Sequence, residues 1–188
     1  VACELSTHLP GLAALDALTG LDALCLFVGE DERPLERLAG CVDWRMCGAL
    51  SRVLKDRFFV GAAGDWLLLP SAGRVGPARL FAVGLGPRAR CDMHVVAHVL
   101  RTAAGVLSRA GVQAVGLELP GAGRVADTER ARALSQHFLP AFTGTHVALL
   151  AEPPLSALLA VPGAAPAELA LSAVSASPAR LSTRTGLR

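Results

Sequence analysis

The chain has 188 residues, 52% of them hydrophobic and 18% charged, with 18 basic against 16 acidic side chains and a formal net charge of +2. That much apolar material excludes a wholly disordered chain and supplies a sizeable core, so one domain with a tail is expected. The near balance of charge, with Lys55 the one lysine among scattered arginines, gives no electrostatic basis for binding nucleic acid or an anionic membrane.

Ala2–Thr7 reads as a weak first strand, broken by Pro10 and Gly11. Leu21–Val28 (LDALCLFV) is a short, almost unbroken apolar run, the pattern of a strand buried on both faces, and Gly29-Glu30-Asp31 ends it. Leu35, Leu38, Val42, Met46, Ala49 and Val53 then recur at three- and four-residue spacing, which predicts a single amphipathic helix of about five turns. Phe58–Val60 and Trp66–Leu69, separated by Gly61 and Gly64, suggest two strands with a short antiparallel pair between 58 and 69. Arg79–Val83 is a further strand, closed by Gly84-Leu85-Gly86-Pro87. Asp92 suits the N-cap of a helix whose buried stripe is Val96, Val99, Leu100, Ala103, Val106 and Leu107, and Gly111 stands where a left-handed C-terminal cap belongs. Val112–Leu119 reads as a strand, Pro120–Gly123 as a loop, Ala126–Phe138 as a helix and His146–Ala151 as the last strand.

Strands alternating with helices predict an α/β fold with a mixed, mostly parallel sheet covered on both faces. No internal repeat is visible. The domain is expected over residues 1–151, and 152–188 reads as a Pro/Ala/Ser-rich tail or linker, with a short helix near Ala165–Val174. The apolar stretch Pro153–Ala167 is too short and too proline-rich to span a bilayer, and no basic, then apolar, leader opens the chain.

Chemistry-bearing patterns are sparse. Cys3, Cys25, Cys41, Cys47 and Cys91 show no CxxC spacing and read as reduced, mostly buried thiols of a cytoplasmic protein. Gly84 and Gly86 between a strand and a helix, with Arg88 beside them, form a candidate ligand-binding set, because glycines allow close backbone approach and helix N-termini attract anions. Against it, the third glycine of a dinucleotide loop and the Gly-Lys-Ser/Thr of a phosphate loop are absent, and turn geometry alone accounts for small residues there. His94 and His98 share a helix face, but no glutamate completes an HExxH pattern and no third ligand is nominated, so two solvent-facing histidines explain them and no metal or cofactor is assigned. No serine sits in a Gly-x-Ser-x-Gly elbow, and Asp16, Asp22, Glu30, Asp31 and Glu32 read as a solvated rim, so no catalytic residue is named. Trp44 projects off the apolar stripe beside Cys41 and Gly48. It is a candidate interface residue, with packing inside the same chain as the competing account.

LDALCLFVGE at Leu21–Glu30, a helix carrying Asp43 and Gly48, FFVGAAGDWLLLPS at Phe58–Ser71, and RVGPARLFAVGLGPRARCDMHVVAHVLRTAAG at Arg74–Gly105 follow one another in a telling order. In that order and spacing they resemble the N-terminal domain of the leucyl (cytosol) aminopeptidase family, over about residues 4–151. The resemblance implies a macro-like, three-layer α/β/α sandwich. It transfers no catalytic or metal residue. The family's peptidase activity belongs to a separate C-terminal domain with two metals, whose Asn-Thr-Asp-Ala-Glu-Gly-Arg signature does not occur in these 188 residues, and Lys55 lies in the N-domain region.

In the family this domain is associated with hexamer assembly and, in some bacterial members, with DNA binding. The resemblance therefore implies an assembly or regulatory role, by self-association or by docking onto a protein such as an aminopeptidase catalytic domain. The +2 charge does not support the DNA role. Two alternatives stand beside it. One is a subunit or fragment of a split metallo-aminopeptidase, with 152–188 where an interdomain linker would begin. The other is a small-ligand binder, since macro-like folds also host ADP-ribose recognition, although the Asn-Ala-Ala-Asn-like and triple-glycine loops of such binders are missing here.

Overall fold

A computed structural model describes residues 3–153 and 155–159. In chain order the elements are β1 (Glu4–His8), α1 (Leu12–Ala17), β2 (Ala23–Gly29), α2 (Arg37–Arg45), α3 (Ala49–Lys55), β3 (Trp66–Pro70), β4 (Arg79–Gly86), α4 (Met93–Arg109), β5 (Ala114–Leu117), α5 (Asp127–Ala133), β6 (His146–Leu150) and α6 (Leu155–Leu159). The sheet has 6 strands in the order β1-β6-β5-β2-β4-β3. All neighbours run parallel except β3, which pairs antiparallel with β4 from Trp66 opposite Val83 to Pro70 opposite Arg79.

The unbroken apolar run of β2 follows from its place in the middle of the sheet. Alternate side chains point to opposite faces, so Ala23 and Cys25 enter one core while Leu24, Leu26 and Val28 enter the other. β4 divides likewise, with Phe81 and Val83 on the first face and Leu80 and Ala82 on the second. The first core is closed by α4 and α5, the second by α1, α2 and α3. The result is the three-layer α/β/α sandwich with a mostly parallel sheet expected from the sequence.

α4 shows the sequence rules at their clearest. Asp92 caps it by accepting the Val95 N–H at 2.9 Å, all six residues of the expected stripe are buried, and Gly111 closes it at φ 67°. Other expectations need correction. The helix read as continuous over 35–54 is two helices, because Cys47 (φ 52°) and Gly48 (φ 76°) occupy the left-handed region. The Gly48 N–H closes back onto the Asp43 carbonyl at 2.8 Å, a helix-ending bond. The Asp43 carboxylate then accepts from the Ser51 N–H (3.0 Å) and hydroxyl (2.5 Å), starting α3. Phe58–Val60 is not a strand, and the antiparallel partner of Trp66–Pro70 is β4. Gly84-Leu85-Gly86 does not close β4 but continues it, with a short 3₁₀ turn at Arg88–Arg90 before α4. The second half of the helix expected over 126–138 is a π-helical turn, Leu134–Phe138. Of the five cysteines only Cys25 is buried, and Cys47 is exposed.

Within the segment expected to be a tail, 152–188, α6 buries Leu155 against the first core. The helix expected near Ala165–Val174 falls outside the described residues. Among the described residues no helix is long and apolar enough to cross a membrane.

Candidate functional site: a crevice at the carboxyl ends of the strands

After β2 the chain turns to the face covered by α2 and α3; after the adjacent β5 it turns to the opposite face, into α5. Where neighbouring parallel strands send their connections to opposite sides, a crevice opens beyond their carboxyl ends, the usual ligand position in open α/β sheets. This chain has that crevice. Cys25 and Phe27 line it from β2, Leu85 from the end of β4 and Arg88 from just beyond it, Glu32 and Glu36 with the start of α2 from another side, and Glu118 and Arg124 from the loop after β5.

The crevice is occupied by the protein's own charged groups. The Glu32 side chain, whose residue is 8% exposed, accepts from the Gly29 N–H at 2.9 Å and from the Glu36 N–H at 3.0 Å. It thereby ties the end of β2 to the start of α2. Glu118 accepts from the Leu38 N–H at 3.0 Å and from the Arg37 guanidinium at 2.6 Å. Both carboxylates thus sit on N–H groups at the positive end of a helix dipole, where negative charge is stabilised. Arg88 forks onto Glu36 at 3.0 and 3.2 Å, which holds the Glu36 carboxyl below its usual range. Arg37, at φ 52°, is held in the left-handed region, a strain of about 1–2 kcal/mol that the surrounding contacts must offset. The space left is about 80 Å³, against roughly 300–1,000 Å³ for an ordinary small-molecule site.

Arg130, 5% exposed, shapes the far wall. Its guanidinium donates to the carbonyls of Pro120 (3.0 Å) and Leu119 (2.5 Å) and to the Asp127 carboxylate (2.7 Å), fixing the loop after β5. Burial pushes the Cys25 thiol up to about 12; burial likewise raises Cys91, and burial with the Glu118 charge raises Cys41. These thiols stay protonated at neutral pH and are poor nucleophiles. Among the described residues no group of three or more His, Cys, Asp or Glu is arranged to hold a metal ion.

Of the residues singled out in the sequence, Arg88 faces the crevice. The Gly84 and Gly86 amides donate within the fold, to the Asp65 carbonyl (2.8 Å) and the Gly61 carbonyl (2.8 Å). A Cβ at Gly84 would collide with the Ala62 carbonyl, so glycine there lets two backbone segments touch. His94 and His98 are both exposed on α4. Trp44 is 69% exposed and borders an open hollow of about 710 Å³ with Leu35, Gly40 and Cys47. Four members of the expected solvated rim are engaged instead: Asp31 accepts from the Arg88 N–H at 2.8 Å and Asp16 from the Arg45 guanidinium at 2.7 Å. Glu32 is buried as described, and Asp22 accepts from the Gln113 (2.7 Å) and Ala114 (3.0 Å) amides, which draw its carboxyl below the usual range. Glu118 carried no sequence signal, since Arg37 and Leu38 lie on another element; Arg130 has an i,i+3 partner in Asp127 on its own helix, but its two carbonyl acceptors lie in the loop after β5.

The profile of the cytosol aminopeptidase family, N-terminal domain, matches residues 24–141. A "Probable cytosol aminopeptidase" of Cupriavidus pinatubonensis is 38% identical over 85 residues, which make up 45% of this chain but 17% of that protein. Among solved structures, the macrodomain of Thermus aquaticus DarG superposes with a TM-score of 0.63 at 16% identity, covering 80% of this chain and 100% of that one. A tomato leucine aminopeptidase mutant gives a TM-score of 0.57 at 14% identity, covering 84% of this chain and 35% of the enzyme. At such identities the structural likeness is one of fold, and the fold is macro-like. The profile match spans more than half of the chain, and the chain belongs to the cytosol aminopeptidase family, of which it carries the N-terminal domain.

Proposed function

We propose that the chain is a non-catalytic assembly or regulatory domain that works through protein contacts. The plugged crevice carries this reading. The position at which an open α/β sheet takes its ligand is filled by Glu32, Glu118 and the Glu36–Arg88 pair, leaving about 80 Å³. The thiols beside it are held protonated. What the surface offers in place of a ligand site is apolar: Trp44, Phe58, Trp66 and Leu68 are 69, 79, 50 and 45% exposed. Trp44, bordering its hollow, is the interface residue carried forward from the sequence. The compartment consistent with these free thiols is the cytoplasm.

The direct test is sedimentation velocity on the purified chain between micromolar and submillimolar concentration, with and without a cytosol aminopeptidase catalytic domain. Self-association or a stable complex is expected, and leucine-anilide hydrolysis should not rise in proportion to the chain itself. A strict monomer that binds no such domain, or intrinsic hydrolysis stopped by a chelator, refutes the proposal.

One observation favours a second reading, in which the chain is one part of a split or longer aminopeptidase: it covers 35% of the tomato enzyme's chain. Co-purification with a catalytic domain that gains activity from it would decide for that reading. An ADP-ribose-like ligand ranks below both because of the filled crevice; calorimetric titration with millimolar ADP-ribose is expected to give no heat.

A further inference from the structure

β1 and β3 are the two edges of the sheet, and they are defended differently. β1 carries Glu4 and His8, and its Ser6 hydroxyl is hydrogen-bonded to His8 (3.2 Å) and to His146 of β6 (2.9 Å). Charged and polar residues of this kind are what natural edges use against pairing with another chain. β3 reads Trp-Leu-Leu-Leu-Pro and bears no charge.

The register of β3 fixes which of its backbone groups are free. Ser71 N–H donates to the Ala78 carbonyl at 2.9 Å, and the Asp65 carbonyl accepts from Gly84 N–H at 2.8 Å. With Leu67 opposite Ala82 and Leu69 opposite Leu80, the odd-numbered residues from 65 to 71 bond to β4. Trp66, Leu68 and Pro70 therefore turn their backbone groups outward. Pro70, lacking an N–H, stands on the side where β4 requires none. The N–H and C=O groups of Trp66 and Leu68 meet no further strand among the described residues. The side chains of these two residues, opposite Val83 and Phe81 of the first core, are the half-exposed ones.

We propose that β3 is a self-pairing edge, on which two copies of this chain join antiparallel about a two-fold axis through Leu68. The proposal rests on the self-association reading above and names its contact. A second copy suits the strand for reasons visible in it. Antiparallel pairing sets Leu68 against its own copy, Leu67 against Leu69 and Trp66 against Pro70, with no charge brought opposite a side chain of the strand. Asp65 is exposed just before β3, and Arg74, in the turn that follows β3, is exposed with its guanidinium on Cys47 Sγ at 3.1 Å. The antiparallel arrangement brings the acidic end of one strand to the basic end of the other, whereas a parallel one sets like beside like. Such a contact is isologous and closes at two copies, while the polar β1 edge discourages growth into a filament.

Residue-resolved hydrogen exchange on the intact chain, across a concentration series, tests this without any substitution. The amides of Trp66 and Leu68 should slow at least tenfold as concentration rises through the association range, while Leu67 and Leu69 stay protected throughout. Leu68→Lys, at a half-exposed side chain, should weaken association at least tenfold and leave unchanged the urea midpoint measured at dilutions below the association range. Exchange at Trp66 and Leu68 that ignores concentration while the chain associates overturns the proposal and moves the contact elsewhere, for instance to Trp44, with the assembly reading intact. Protection of both amides at every dilution also overturns it, because residues 160–188 or a different protein would then cover the edge. A chain that never associates, alone or with a catalytic domain, refutes this proposal and the assembly reading together.

Discussion

Truncating Arg130 to alanine removes three bonds from a side chain that is 6% exposed. Two of the acceptors are the carbonyls of Leu119 and Pro120, on the wall of the crevice, and the third is the carboxylate of Asp127, whose side chain is 31% exposed. Hydrogen bonds to a charged group contribute about 1.5–3 kcal/mol each, but three do not add in full. Asp127 regains water, and the volume vacated by the guanidinium admits water to the two carbonyls. Breaking a buried pair by removing one partner costs about 3–5 kcal/mol, and the exposure of Asp127 places the expected loss near the lower end, about 3 kcal/mol. For a domain of this size that lowers Tm by about 6–12 °C. Urea unfolding followed by circular dichroism measures it, with the slope unchanged and the midpoint lowered. Asp127→Asn leaves the buried guanidinium without its counter-charge but still bonded to both carbonyls, and should cost about 2 kcal/mol, less than the arginine's loss. Arg130→Ala within 1 kcal/mol of the parent, or an Asp127→Asn loss as large as the arginine's, refutes the view that the loop after β5 hangs on this guanidinium.

Other consequences follow from the same geometry. Gly84→Ala forces a Cβ into the Ala62 carbonyl and should cost about 3 kcal/mol or prevent soluble expression, read by the midpoint of urea unfolding; a neutral Gly84→Ala would show the close contact to be slack. The Cys25 thiol, pushed by burial to about 12 in the fold from an ordinary 9.0, keeps its proton in the folded state after the unfolded chain has lost it. Its contribution to stability is intact below pH 9 and falls as pH rises from 9 toward about 12. Unfolding midpoints across that range should decline less steeply in Cys25→Ala than in the parent. At pH 8 a thiol reagent should reach the exposed Cys47 and leave Cys25 unmodified until denaturant is added.

The parts of the fold legible in the sequence are those whose cause is local or periodic. β2 announced itself because a strand buried on both faces has no polar side to show, and α4 because cap, stripe and closing glycine all lie within one stretch of chain. The break at Cys47–Gly48 was hidden because the apolar spacing runs on through it: the expected stripe continues from Leu38, Val42 and Met46 into Ala49 and Val53, but across the break Leu50 and Leu54 are the buried residues and Ala49 and Val53 only partly so. Gly48 was the signal, and periodicity outweighed it. β4's continuation through Gly84-Leu85-Gly86 was misread for the opposite reason, since glycines suggest a turn when the element they allow to approach, here Gly61–Ala62, is distant in sequence. The crevice was the least legible part. Glu32 stands in sequence among acidic neighbours that suit a solvated rim, and Glu118 meets Leu38 and Arg37 only because β5 and the start of α2 converge in space. Charge pairs between elements leave no spacing to find.

Whether the crevice is a site closed by its own side chains or merely packed has a consequence that can be measured. The N-terminus of α2, Arg37 and Arg88 put positive charge on one wall of the crevice, and Glu118 and Glu36 meet it at hydrogen-bond distance. A carboxylate held there by the chain acts at an effective concentration of millimolar or more, so a free anion must outcompete it before any binding appears. Replacing both by glutamine keeps the volume, leaves the Leu38 N–H an acceptor and removes two negative charges. In Glu36→Gln/Glu118→Gln, pyrophosphate should then bind in the millimolar range, at least tenfold more tightly than to the parent, with the gain disappearing when Arg88→Ala is added. The affinity is read by the change in Tm with ligand concentration. If the double variant folds and shows no more affinity than the parent, the arginines are ordinary rim charges and the carboxylates close nothing.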